Sequence, residues 1–157
     1  MATIFGILSR GGSAYHWAMQ TDSATLRQLL EQTRTIAVVG LSPDKQRPSH
    51  DVARYLQAQG YRIVPVNPRC TAVLGEQCFA SLEEVPFPVD LVDVFRRTEE
   101  VASIARSAVV IGARGFWQQL GLVNAEADAI AVAAGLMTVM DRCIKIDHMR
   151  LFGGLNQ

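Results

Sequence analysis

The chain has 157 residues, of which 49% are hydrophobic, and its 15 basic and 15 acidic residues leave no formal net charge. This length suits one domain with its own core, and the absence of a basic run argues against a nucleic-acid surface. No apolar run reaches the roughly 18 residues of a membrane span, and the three cysteines, without a CxxC pair, indicate reduced thiols in a cytoplasmic protein rather than a disulfide scaffold or a zinc site.

The first twenty residues do not fit the pattern of the rest of the chain. Their apolar stretch precedes Arg10, whereas a secretory signal carries its positive charge ahead of the apolar stretch. We therefore expect residues 1–20 to be a poorly ordered extension, with an amphipathic docking segment as the alternative. Residues 21–157 are predicted to form a single domain.

Apolar runs and amphipathic stretches alternate along that domain. Leucines at helical spacing predict a helix over about 23–33, and the continuously apolar TIAVVG predicts a buried strand over 35–40. Ser49 is expected to cap a second helix that ends near Gly60. Residues 69–85 are predicted to contain turns and a short helix, and the tail from Ile144 receives no assignment. The remaining strands are predicted at 61–66, 89–95, FWQQ from 116 and 136–141, and the remaining helices at 98–111, capped by Thr98, and 124–135, capped by Asn124.

Strands that alternate with helices of this length predict an α/β fold. We expect a Rossmann-like, doubly wound and mainly parallel sheet of about five strands, with helices on both faces and right-handed crossovers. In such sheets, ligands bind beyond the carboxyl ends of the strands, near the point where the strand order reverses. The residues that follow each strand are therefore the candidates for a binding site.

Arginines and small polar residues follow the predicted strands, and we expect few carboxylates at that edge. Gly40 opens a loop that leads to a helix start at Ser49, where backbone amides favour phosphate. Asn67 and Arg69 follow the second strand, and two arginines follow the third. This composition favours an anionic ligand.

A dinucleotide such as NAD is the obvious alternative ligand. Its usual loop is GxGxxG, and an acidic residue at the end of the second strand holds the ribose hydroxyls. Here the loop reads GLSPDK with one glycine, and the second strand ends in Val66-Asn67 without a carboxylate. Both features are missing, which disfavours NAD.

Several longer motifs resemble one family. The stretch VVGLSPDKQRPSHDVARYLQAQGYRIVPVNPR, followed by DVFRR, WQQLG and VMDRC, is similar to the small bacterial and archaeal CoA-binding proteins. These in turn resemble the CoA-binding N-terminal domain of the succinyl-CoA synthetase α chain. The resemblance covers about residues 21–152, and the chain is too short to include the further synthetase domain that carries the phosphorylated histidine.

The resemblance implies a coenzyme A site at the ends of the strands. Gly40, Ser42 and the backbone up to Ser49 would approach the phosphates. Arg47 would be a further phosphate contact, and Arg69 would take the place of a phosphate-binding lysine in the synthetase. By the same resemblance, the nucleotide end would be lined by Val66, Asn67 and Pro68, the adenine or pantetheine by Phe95 and Arg96, the pantetheine arm by Gln118, Leu120 and Gly121, and the thiol end by Asp141, Arg142 and Cys143.

The function expected from these observations is a stand-alone module that binds coenzyme A or an acyl-CoA without catalysis, because no nucleophile, base and orienting group are evident together. A competing hypothesis is a CoA-linked redox or acyl-transfer enzyme that uses Cys143, and Asp147 beside His148 is a weak candidate for a catalytic pair. An NAD-type dinucleotide-binding protein and a protein-interaction scaffold are two further hypotheses. Asp93, inside an apolar strand, is expected to bond an arginine or a backbone amide.

Overall fold

The computed structural model describes residues 22–153. The predicted N-terminal extension lies outside the described residues, as do residues 154–157. Within 22–153, no helix is both long and apolar enough to cross a membrane. The strands are β1 (Thr35–Val39), β2 (Arg62–Val66), β3 (Ala72–Val73), β4 (Glu76–Gln77), β5 (Leu91–Val94), β6 (Gly115–Gln118) and β7 (Met137–Val139). The helices are α1 (Ser23–Gln32), α2 (Pro48–Ala58), α3 (Thr98–Val110), α4 (Ala125–Ala133) and α5 (Ile144–Phe152), with a short 3₁₀ helix over Leu82–Glu84.

Five strands form the central sheet in the order β2-β1-β5-β6-β7, and every neighbouring pair is parallel. The chain first runs from β1 to β2 in one direction and then crosses back over β1 to β5 and onward. The predicted Rossmann-like, doubly wound α/β fold is confirmed. The strand order reverses between β1 and β5, which makes the carboxyl ends of these two strands the expected ligand crevice.

Two apolar clusters cover the two faces of the sheet. In β1, Ile36 and Val38 face the cluster formed with α1, α2 and α5, whereas Ala37 and Val39 face the cluster formed with α3 and α4. Alternate side chains of a strand point to opposite faces, so a strand covered on both sides must be continuously apolar. The apolar run TIAVV follows from this requirement.

Two segments differ from the prediction. Residues 72–77 form a small antiparallel hairpin, β3–β4, ahead of the short 3₁₀ helix, where turns and a short helix were expected. The unassigned tail is helix α5, which lies on the same face as α1 and α2 and contacts both. The short strands of the hairpin and the position of α5 depend on contacts with distant parts of the chain.

Of the three predicted helix caps, one is confirmed and two are wrong. Asn124 caps α4 as expected, since its side-chain oxygen accepts a hydrogen bond from the Ala127 N–H at 2.9 Å. The other two predicted caps are wrong: Pro48 precedes Ser49 inside α2, and Thr98 is the first residue of α3 after Arg97. The Ser49 hydroxyl instead accepts a bond from the loop that precedes its helix.

The predicted arginine partner of Asp93 is absent among residues 22–153, and the predicted backbone amide is represented only by the neighbouring Val94 N–H, at a geometry too poor for a full hydrogen bond. Asp93 is fully buried in the centre of the sheet, between Val38 of β1 and Trp117 of β6. Burial raises the pKa of Asp93 well above its usual range, and the neighbouring Val94 N–H only partly opposes this. Asp93 therefore keeps its proton at pH values where an exposed aspartate has lost it.

Candidate functional site

Gly40 lies directly after β1, at the point where the strand order reverses. Its φ is +90°, and its N–H donates to the Val66 carbonyl at 2.9 Å. A Cβ built on Gly40 would lie 2.1 Å from the Phe95 carbonyl oxygen and 2.8 Å from Cδ of Arg96. The backbone after β1 and the chain after β5 therefore approach each other more closely than any other residue type would allow.

The loop after Gly40 is held by its own side chains. The Ser42 N–H donates to Ser49 Oγ at 3.0 Å, the Asp44 N–H donates to Ser42 Oγ at 3.1 Å, and the Gln46 N–H donates to Asp44 Oδ1 at 2.9 Å. These amides are engaged within the protein. An anion at this loop would therefore depend strongly on side chains, and the exposed Arg47 lies beside it, 4.0 Å from Asp44.

Asn67 connects this loop to the end of β2. Its side-chain Nδ2 donates to the Leu41 carbonyl at 2.9 Å, and its Oδ1 accepts from the Arg69 N–H at 2.9 Å. The neighbouring Pro68 and Arg69 are exposed. The structure thus brings the predicted residues after β1, β2 and β5 together at one edge of the sheet.

A cleft of about 400 Å³ opens beside this junction, between α3 and the segment around the 3₁₀ helix. Arg96 reaches into it and pairs with Glu100 at 2.7 Å, which lowers the pKa of Glu100. Glu83 and Glu99 line the same cleft. The expectation that carboxylates are scarce at this edge is therefore wrong on the α3 side.

The predicted residues after β6 and β7 form a second group. The Gly121 N–H donates to Asp141 Oδ1 at 2.8 Å, and the Asp141 N–H donates to the Leu122 carbonyl at 3.1 Å. Asp141 has a φ of +57°, an uncommon value for a residue with a side chain. Leu120 is 66% exposed beside them. The two loops are thus fixed to each other by backbone and carboxylate bonds.

Two side chains of this second group are engaged inside the protein. Gln118 is fully buried, and its amide accepts from the Asn124 N–H at 2.8 Å and donates to the Asn124 carbonyl at 3.0 Å. The Arg142 guanidinium binds both carboxyl oxygens of the buried Asp147, at 2.7 and 2.5 Å. Gln118 and Arg142 therefore shape these loops.

Cys143 occupies the N-cap position of α5 and is half-buried. The candidate catalytic pair of Asp147 and His148 does not form: Asp147 binds Arg142, and His148 Nδ1 lies 2.8 Å from the Tyr55 hydroxyl. Burial lowers the pKa of His148. Among the described residues, no group of three or more His, Cys, Asp or Glu side chains is placed to hold a metal ion.

The sequence interpretation missed the wall of the cleft that α3 supplies. Glu99, Ser103 and Ser107 recur every four residues and line the cleft, with Glu100 beside them. A spacing of four places side chains on one helix face. This polar stripe on the helix that directly follows β5 was the available signal.

Known proteins share this fold and much of this sequence. Residues 34–149 match the family described as CoA binding domain. The chain is 42% identical over 131 residues to YneT, an uncharacterized protein of Bacillus subtilis, and the match covers 83% of this chain and 97% of YneT. A hypothetical protein from Pyrococcus horikoshii superposes with a TM-score of 0.82 and 35% identity, covering 84% of this chain and 93% of that one. Cell-free ID.343 from Thermus thermophilus gives a TM-score of 0.80 and 39% identity, covering 84% of this chain and 100% of that one.

A Rossmann-like sheet with a cleft at its reversal point defines the class of nucleotide-binding α/β domains. Within this class, the chain belongs to the CoA binding domain family. The same fold occurs in a larger enzyme, the dinucleotide-forming acetyl-coenzyme A synthetase 1 of Korarchaeum cryptofilum, with a TM-score of 0.62 and 23% identity over 72% of this chain and 27% of that one.

Proposed function

We propose that this protein binds coenzyme A, or an acyl-CoA, at the junction of β1, β2 and β5 and performs no chemistry on it. The observation that carries the proposal is the cleft of about 400 Å³ that opens where the chain after β1 and the chain after β5 approach each other at Gly40. Membership in the CoA binding domain family supports coenzyme A over other nucleotides.

The charges around the junction indicate how the ligand lies. Glu83 and Glu99 in the cleft suit neutral hydrogen-bond donors, such as the adenine amino group and ribose hydroxyls, and would repel phosphates. Arg69 follows β2, Arg47 lies just before α2, and Arg96 follows β5 and borders the cleft beside Gly40; their guanidinium groups suit phosphates. We therefore assign the nucleoside to the cleft and the phosphates to the arginines.

The pantetheine arm then extends along the sheet edge toward the loops after β6 and β7. Exposed Leu120 and the Gly121 and Asp141 loops line this direction, and Cys143 at the start of α5 lies at its far end. The redox or acyl-transfer hypothesis needs a base beside Cys143. The nearby ionisable groups Asp147 and His148 are paired with Arg142 and Tyr55, which favours a binding module.

Calorimetric melting with coenzyme A tests the proposal. A ligand at a hundredfold excess over its Kd stabilises the native state by about 2.7 kcal/mol, which raises the Tm of a chain this size by roughly 5–10 °C. At equal concentration, NAD should give a smaller shift. An equal or larger shift with NAD would contradict the assignment, and steady release of CoA from an acyl-CoA that Cys143→Ser abolishes would contradict the non-catalytic function.

A comparison of two arginine variants on the same side of the sheet tests whether Arg96 contacts the ligand. Arg96→Ala should weaken CoA binding about tenfold, the effect of losing one charge-assisted hydrogen bond. Arg106→Ala is the matched control, because Arg106 also forms an exposed ion pair, with Glu126 at 3.2 Å, on a part of α3 outside the cleft lining. Equal affinities of the two variants, measured by titration calorimetry, would remove Arg96 from the site.

A further inference from the structure

The β3–β4 hairpin brings two cysteines together. Leu74 and Gly75 form its tight turn with φ values of +55° and +76°. The Cys78 N–H donates to the Thr71 carbonyl at 2.9 Å, which continues the strand pairing one residue beyond β3 and β4. This pairing places Cys78 opposite Thr71, so that Cys70 and Cys78 both lie at the open end of the hairpin, away from its turn.

The two thiols lie on the same side of the sheet, in a half-exposed environment. The Cys70 and Cys78 side chains are both partly accessible, and both pack against the apolar cluster on the α2 side of the sheet. Burial, together with the charge and hydrogen bond of Cys70, raises the pKa of the Cys78 thiol. The raised pKa disfavours the Cys78 thiolate, and we assign the first attack on an oxidant to Cys70.

We propose that Cys70 and Cys78 form a reversible dithiol–disulfide couple that low-molecular-weight disulfides oxidise. The Cys70 thiolate attacks one sulfur of the oxidant, the sulfur–sulfur bond of the oxidant breaks, and one thiol leaves with a proton. The Cys78 thiol then loses its proton and attacks the Cys70 sulfur, which releases the second thiol. The protein loses two hydrogen atoms, and one disulfide is reduced to two thiols.

The position of both thiols at the open end of one hairpin favours the second step, because a group held near its target reacts at a high effective concentration. Cys143 has no such role: it lies at the start of α5, after β7 at the other side of the sheet. The Cys70–Cys78 cross-link would also restrain one wall of the cleft. Pro68 and Ala80 line the cleft, and they lie two residues before Cys70 and two residues after Cys78. Oxidation would therefore limit the movement of the segments that carry Pro68 and Ala80.

The test uses the folded full-length chain, equilibrated in glutathione buffers of increasing oxidised fraction and then alkylated. Peptide mass mapping should show an intramolecular bond between Cys70 and Cys78 that dithiothreitol reverses, with no glutathione retained on either residue. Cys143→Ser should behave in the same way. The proposal is overturned if both thiols stay open to alkylation across the whole range, if glutathione remains attached to them, or if Cys143 takes part in the cross-link.

A second variant tests the order of the steps. Cys78→Ser removes the resolving thiol and should leave glutathione attached to Cys70 as a lasting mixed disulfide. Its melting curve, compared with that of wild type, establishes that it is folded. Rapid loss of that glutathione from folded Cys78→Ser would show that another group resolves the mixed disulfide, and the assignment of Cys78 would be wrong. No step depends on coenzyme A, so this result and the CoA titration are independent.

Discussion

A single methyl group at position 40 would collide with the chain after β5. Gly40 combines a left-handed φ of +90° with a Cβ position 2.1 Å from the Phe95 carbonyl oxygen. The backbone strain alone costs about 1 kcal/mol or more, and the carbonyl can move only by separating β1 from β5. Gly40→Ala should therefore lower the free energy of unfolding by about 2–4 kcal/mol, measured by urea denaturation.

The Gly135→Ala variant separates the cost of the backbone conformation from the cost of the steric collision. Gly135 has a nearly equal φ of +87° but no atom within 4 Å of the added Cβ. This variant should lose only about 1 kcal/mol, the cost of the backbone conformation. Equal losses in the two alanine variants would mean that the close approach at the strand-order reversal does not constrain the chain.

The buried carboxyl of Asp93 makes stability depend on pH. Its pKa is raised in the folded state, so the folded protein binds the proton more tightly than the unfolded chain. The stabilising effect is complete below the unfolded pKa of about 4, and it is lost at up to about 1.4 kcal/mol per pH unit until Asp93 ionises in the folded protein. Asp93→Asn should remove this contribution.

Urea denaturation of wild type and Asp93→Asn between about pH 5 and pH 8 measures the effect. The difference between the two unfolding free energies should shift in favour of the variant as the pH rises. A constant difference over the whole range would show that Asp93 does not hold a proton in the folded state.

The residue types at the site were easier to predict from the sequence than the contacts that each side chain makes. Gly40 follows from its place after an apolar strand, but nothing local shows that Gln118 turns inward to hold Asn124, or that Arg142 is paired with Asp147. These partners are set by how the β6 and β7 loops meet. The same limit explains Asp93, whose sequence indicates burial but not the missing partner among the described residues.

At the scale of elements, the ion pairs of α5 differ in how deeply they are buried. Within α5, the buried Asp147 accepts bonds from Arg150 of the same helix and from Arg142 in the turn just before it, whereas Lys145 pairs with the half-exposed Asp51 of α2 at 2.7 Å. Burial decides what such pairs contribute, since water competes for exposed ones.

Asp147→Asn should therefore destabilise the protein by about 2–3 kcal/mol, because it leaves the Arg142 guanidinium without its charged partner. Asp51→Asn breaks the other ion pair of the same helix and should cost about 0–1 kcal/mol. Both values come from guanidinium denaturation of the two variants. A larger loss for Asp51→Asn would show that α5 is held chiefly through α2.

Elements with long periodic patterns were predicted well, and short ones were not. The strands and helices on either side of the site follow from apolar runs and helical spacing. The β3–β4 hairpin has strands of two residues each, and its Leu-Gly turn lacks the usual Asn-Gly signal. Helix α5 has only three buried residues, two of them polar, so its pattern is weak.

For the whole molecule, alternation of strands and helices was enough to establish the α/β class and the edge at which ligands are expected. The strand order was not available from the sequence, because it depends on which crossover passes over which face. The cleft against α3 could not be predicted without the strand order, because its walls come from the ends of β1 and β2, the 3₁₀ segment and α3. The polar stripe on α3 became informative only once α3 was placed beside β5.

The segment after the hairpin has a consequence for how the sheet meets other molecules. Phe79 pairs with the end of β2, through its N–H to the Pro65 carbonyl at 3.0 Å and its carbonyl to the Asn67 N–H at 2.9 Å. This occupies hydrogen-bonding groups that an outermost strand would otherwise present to a foreign strand, and Pro65 itself has no N–H to offer. The opposite border, β7, is only three residues long. Both borders of the sheet are thus poor templates for strand addition, which protects a protein with so apolar a centre from edge-to-edge aggregation.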